Sequence, residues 1–181
     1  MAQVGLRDFH YALLTQDDTS GATYGQMYAV PGLRKADIQP QGGTETLYAD
    51  DGPYATASAL GEVKVSIELA DLPIADQARI LGHTVGANGQ MEYKSSDIAP
   101  YVAIAFESDT HDNGTMFVKL VKGKFSEPGT SIETKEQTPK FQTPTIEGSF
   151  VCRTYDKVWK QIADTRAAGY EASVGTGWYS M

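Results

Sequence analysis

A mainly β fold (α+β), an antiparallel β-sandwich or partial barrel with a short flanking helix, is what the sequence predicts, and three observations carry it. The stretch Val63-Lys64-Val65-Ser66-Ile67-Glu68-Leu69 alternates apolar and polar residues, the period-two signature of a strand with one face buried. Two apolar runs, Tyr101 to Phe106 and Thr115 to Lys122, flank a polar loop ending in Asn113-Gly114, a dipeptide that adopts the positive backbone angles of tight hairpin turns. Helical spacing is confined to two short stretches, so strands predominate.

In chain order, the first strand covers about Leu6 to Leu14 and a second about Thr23 to Val30, stopped by Pro31-Gly32. From Gln39 to Gly61 alternation fails: Gly42-Gly43, Asp51-Gly52-Pro53 and small residues prevail, which reads as a long loop. Loops of that length inside compact domains are commonly binding segments. After the strand Val63 to Leu69, Asp71 is placed to cap a helix with Pro73 in its first turn and Gly82 as its left-handed stop. The two runs around Asn113-Gly114 pair antiparallel, Thr145 to Cys152 forms another strand, and a second helix is expected from Asp156 to Ala168, with Val158, Trp159, Ile162 and Ala163 on one side and Gly169 as its stop. The expected organisation is a domain over residues 1–152, with the loop at about 39–61, followed by a C-terminal helix or arm over 153–181.

With 181 residues, 41% hydrophobic and 21% charged, the chain is long enough to bury one core. No apolar run approaches the roughly 20 residues of a membrane span, and the first residues lack a signal pattern; a soluble protein made without export is expected. The single cysteine, Cys152, has no partner for a disulfide and is expected in the core of a strand. A formal net charge of −8 argues against a protein that grips phosphates through clustered Lys and Arg. It suits a surface past which DNA must slide, because a negative wall repels the polyanion.

Catalytic and metal chemistry find little foothold. His10, His83 and His111 lie in different expected elements with no second histidine at ligand spacing. The loop Asp109-Thr110-His111-Asp112-Asn113-Gly114 fails the calcium-loop pattern, since His111 replaces an oxygen ligand and Leu120 stands at the twelfth position. There is no Gly-x-Ser-x-Gly elbow and no Gly-Lys-Ser/Thr phosphate loop. The adjacent carboxylates Asp17-Asp18 and Asp50-Asp51 diverge in an extended chain. No cofactor, metal or catalytic residue is expected.

Longer words are more specific. Gly5-Leu6-Arg7-Asp8-Phe9-His10-Tyr11-Ala12-Leu13-Leu14-Thr15, then Thr23-Tyr24-Gly25, Thr44-Glu45-Thr46-Leu47-Tyr48-Ala49-Asp50-Asp51-Gly52-Pro53-Tyr54, Gly61-Glu62-Val63 and Ala70-Asp71-Leu72-Pro73 resemble the major tail proteins of long-tailed, non-contractile bacteriophages of Gram-positive bacteria. So do Asp97-Ile98-Ala99-Pro100-Tyr101-Val102-Ala103, Lys122-Gly123-Lys124-Phe125 and Phe141-Gln142-Thr143-Pro144-Thr145. The resemblance spans about residues 3 to 152; beyond Cys152 only the final glycine and aromatic residues align, loosely.

The resemblance implies a tail-tube β-sandwich, six copies of which form a ring whose inner sheets join into a barrel, with rings stacking into the tube through which DNA is ejected. It implies as partners other copies of the chain, a tape-measure protein, and tail terminator and distal tail or tip proteins. It further implies a place in the virion after assembly in the host cytoplasm, with no membrane association. It assigns ring stacking to Thr44, Glu45, Leu47, Tyr48, Asp50, Asp51, Gly52, Pro53 and Tyr54. The polar face of the strand at Lys64, Ser66 and Glu68 is a candidate lumen wall or, equally, ordinary exterior. The competing readings are the tube subunit of a phage-derived particle or secretion device, a monomeric glycan- or host-binding β-sandwich suggested by Tyr48, Tyr54 and the acidic loop, and a hydrolase using Asp109, His111 and Asp112.

Overall fold

The computed structural model describes residues 3–49, 52–129 and 143–180. Along them the order is β1 (Arg7–Asp18), β2 (Gly21–Ala29), β3 (Leu33–Ala49), β4 (Gly52–Leu69), α1 (Ile74–Leu81), β5 (Thr84–Val85), β6 (Met91–Glu92), β7 (Val102–Asp109), β8 (Thr115–Phe125), β9 (Thr145–Phe150), β10 (Lys160–Asp164) and α2 (Ala172–Thr176). The fold is mainly β and antiparallel, as the alternation predicts. Its large sheet runs β2-β1-β7-β8-β9-β4-β3, with β10 added to β8, and does not close on itself.

The strand β8 turns this sheet into two layers. Its first half, Met116 to Leu120, pairs with β10, while its last residues, Gly123 to Phe125, pair with β9 on the same edge. Opposite, its pairing with β7 slips between Val102 and Ile104, the irregularity expected where a strand bends from one layer into another. The inward side chains of β4, Val63, Val65, Ile67 and Leu69, meet Phe9 and Tyr11 of β1, Ile104 and Phe106 of β7, and Phe150 of β9 in one core. Residues Val102 to Phe106 are buried on both faces of β7, so that run is continuously apolar instead of alternating.

The second face of β7 and β8 is covered by the C-terminal segment, where Trp178 packs with Ala105 and Phe117. The helix expected over Asp156 to Ala168 is not formed. Lys157 takes a positive φ of 60°, outside the helical region, and the Asp156 carboxylate accepts the Val158 N–H at 3.1 Å in a local turn. The chain then joins β8 as β10, so the segment after Cys152 is packed on the sheet. Cys152 lies just past β9 and is half-buried, not a strand-core residue.

The first helix is shorter than its capping signals suggest. Pro73 occupies the N-cap with no side-chain cap, so Asp71 does not play that part. Gly82 ends α1 at φ 82° as expected, and a Cβ there would lie 2.4 Å from the Ile98 carbonyl oxygen.

A second glycine sits where β8 crosses β9: a Cβ on Gly123 would lie 2.3 Å from the Phe150 ring. Gly123→Ala forces an overpacked core, and a loss of about 1–3 kcal/mol is expected from chemical denaturation. An unchanged unfolding midpoint would show that the ring can step aside.

Candidate functional site

The most distinctive feature is a two-stranded ribbon. The expected loop over 39–61 is instead the outer part of a hairpin, 17 residues in β3 and 18 in β4. The pairing runs unbroken in sense from Leu33↔Leu69 to Ala49↔Gly52, with slips at Leu33/Lys35, Pro40/Gly42 and Leu47/Tyr48. On β4 the neighbour β9 pairs only with Val63 to Glu68. From Gly42↔Leu60 outward the ribbon has no third strand among the described residues, and at ~3.4 Å per residue it projects about 25 Å.

Composition explains both the reach and the misreading. Gly42, Gly43, Thr44, Thr56, Ala59, Leu60 and Gly61 are all exposed, so neither face is buried and no alternation is selected. A hairpin with no third strand and no helix against it is marginal in water. Leu60, 43% exposed, is an apolar side chain left uncovered at its base.

Of the residues assigned to stacking, Thr44, Glu45, Leu47, Tyr48, Gly52, Pro53 and Tyr54 all have backbone positions in this outer ribbon, with the pairs Thr44↔Ser58, Glu45↔Ala57, Leu47↔Ala55 and Tyr48↔Pro53. Asp50 and Asp51 lie outside the described residues. The stacking candidates are thus brought onto one projecting element, although as strand and not as loop.

The ribbon leaves the sheet at the end where β4 enters beside Phe150, while α1 follows the opposite end of β4 after Leu69. The molecule therefore carries its projection and its helix at opposite ends of the same strand.

Lys64, Ser66 and Glu68 fall together on the outward face of β4. By register their neighbours are Gln39, Asp37 and Lys35 on β3 and Ser149, Glu147 and Thr145 on β9. The part of this face at Lys64 and Ser66 lines an open depression of about 550 Å³, reached also by Glu62 and Lys124, while Glu68 lies outside it. Glu68 is held by Arg34 at 3.0 Å and by the Thr143 hydroxyl at 2.7 Å, and Glu62 accepts the Ser149 hydroxyl at 2.8 Å. Asp37, Glu62 and Glu147 against Lys64 and Lys124 leave the depression close to neutral, so the chain's excess of acid is not concentrated there.

The acids at and beside the turn between β7 and β8 are paired with cations from elsewhere in the chain. The Arg7 guanidinium pairs with Asp109 and, at 3.2 Å, with Glu107, and Arg166 reaches Asp112 at 3.1 Å. Asn113 has φ 58°, as the Asn-Gly turn requires. His111 sits beside Asp112 in the open, both more than half exposed, and Asp109 is turned to Arg7, so the three candidate hydrolase residues do not converge.

Two polar clusters were not legible beforehand. Asp17, at the end of β1, accepts from the Lys122 ammonium at 2.6 Å and from the amides of Thr154 and Tyr155. His83 lies between Asp97 and Glu127. Each draws partners from distant parts of the sequence, a proximity that no local pattern encodes. Among the described residues no helix is long and apolar enough to cross a membrane. No protein-family model matches the chain, and no curated protein does.

Proposed function

We propose that this chain is the major tail-tube subunit of a long-tailed bacteriophage, a non-enzymatic protein that polymerises as stacked hexameric rings around a tape-measure protein. The observation that carries the reading is the ribbon, which has no third strand among the described residues. An element of two strands extending about 25 Å from a folded core is unstable alone and calls for a surface on another molecule. Its position opposite α1 suits a head-to-tail contact, which propagates from copy to copy instead of closing in a pair.

The outer edges of β2 and β3 add to this support, since among the described residues each is the last strand of the sheet and offers unpaired backbone groups to a neighbour. In this reading the side-by-side joining of subunits completes the sheet around a ring, and the ribbon reaches the next ring. The polar face at Lys64, Ser66 and Glu68 then lines the bore. Its close balance of charge would give passing DNA neither a strong grip nor a strong barrier, while terminator and tip proteins cap the tube in the virion. A phage-derived particle or secretion device would use the same contacts.

Hydrogen exchange tests the reading through the ribbon itself. Amides in residues 42–60 are expected to exchange quickly in dilute protein and to become protected as concentration rises, ahead of any change in the core strands. Protection that is equal at every concentration would mean that the ribbon needs no second copy.

A further inference from the structure

We propose that His83 is a pH-operated clasp that fastens the chain leaving β8 to the end of α1. The imidazole is 4% exposed and is positioned by the left-handed turn at Gly82, with the His83 N–H donated to the Ala78 carbonyl at 2.9 Å. Its Nδ1 lies 2.8 Å from the Asp97 carboxylate, and its Nε2 contacts the Glu127 carboxylate. Three segments far apart in sequence meet on one ring.

Both contacts need a proton on the ring nitrogen, because an ionised carboxylate only accepts, and only the imidazolium donates from both nitrogens. The two ends are not equivalent. Asp97 also accepts the Lys94 N–H at 2.9 Å, whereas Glu127 has no other polar partner among the described residues and is 53% exposed. When the ring loses a proton, the proton kept at Nδ1 preserves the Asp97 contact, and Glu127 then faces a lone pair and lets go.

The other groups around the ring leave this logic intact. The Tyr93 ring lies against it, tilted by 54° with centroids 4.5 Å apart, and its hydroxyl accepts from Gln77 at 3.4 Å. The Lys94 ammonium is turned to Glu92. On α1, Asp76 is engaged by Arg79 and by the Tyr11 hydroxyl. Asp97 hydrogen bonding raises the His83 pKa, burial opposes it, and Glu127 raises it further; the Asp97 carboxyl is lowered by the same contact. The clasp is therefore closed while the ring is protonated. Its contribution is fully present below the ordinary histidine value and is lost as pH rises through the raised one.

An imidazole NMR titration of the full chain, paired with amide exchange at Ser126, tests the clasp. The Ser126 N–H donates to Glu147 at 2.8 Å and reports whether the strand exit is held. The His83 midpoint is expected above the ordinary value of about 6.5 and falls by about one pH unit in E127Q. Ser126 protection, corrected for intrinsic base catalysis, drops through the wild-type midpoint, and this step is missing in E127A. Glu127 lies at the surface, so both variants fold. A midpoint at or below the ordinary value, a midpoint unmoved by E127Q, or the same step in E127A would overturn the proposal.

Discussion

Replacing Gly42–Leu60 with a two-residue turn is expected to abolish tube formation while leaving the subunit folded. Among the described side chains, none of the buried core residues lies in that stretch; the inward series resumes at Val63 and the nearest packed residue on β3 is Ile38. The unfolding midpoint of the shortened protein should accordingly stay close to that of the full chain. The concentration at which polymer appears should rise by about a hundredfold or more, since ~3 kcal/mol of lost contact already gives that factor. Sedimentation across a concentration series reads both. A shortened protein that polymerises as well as the parent would remove the ribbon from the assembly contacts, and one that unfolds would show the ribbon to be part of the subunit core.

The largest expected effect on the subunit itself is at Asp17. Its side chain is 5% exposed and its partner Lys122 13%, and the carboxylate also takes the Thr154 N–H at 2.8 Å and the Tyr155 N–H at 3.1 Å. It joins the end of β1 to β8 and to the chain just past β9. Asp17→Ala leaves a mostly buried ammonium without its anion and two amides without their acceptor, so a loss of about 3–5 kcal/mol is expected at neutral pH. Urea unfolding measures it; a loss below about 1 kcal/mol, typical of an exposed ion pair, would contradict the account. Burial by itself would raise the Asp17 pKa, but the hydrogen bonds from Lys122 and the two amides outweigh it and hold the carboxyl well below the usual carboxylate range. For a lowered folded value, the contribution is complete above the ordinary aspartate value and fades only as pH falls through the folded one. Asp17→Asn should therefore flatten the strongly acid limb of the stability curve and leave its neutral shape unchanged.

Where one face of a strand is buried, the pattern was readable. The series Val63 to Leu69 is buried at Val63, Val65, Ile67 and Leu69 and turned outward between, and the paired runs about Asn113-Gly114 form the β7–β8 hairpin. The ribbon escaped because alternation records burial, and an element exposed on both faces has none to record; its glycines and Pro53 then pass for loop chemistry. Near the C-terminus, Val158, Trp159, Ile162 and Ala163 happen to fall at helical spacing. Trp159 packs toward the main core and Ala163 toward the Trp178 cluster, while Ile162 is exposed. Only the pairing of β10 with a strand about 40 residues earlier decides the outcome, and such non-local pairing leaves no local mark. The stacking candidates share one element, a hairpin and not the loop expected of them, because a match of words carries no burial pattern from which to read conformation.

The measurement that bears most directly on the central claim is electron microscopy of the purified full chain over a range of concentrations. Hollow tubes built of six-fold rings, with the ribbon of each subunit lying on the next ring, are the predicted result. Uniform monomers at every concentration, with the ribbon extended into solvent, would contradict it.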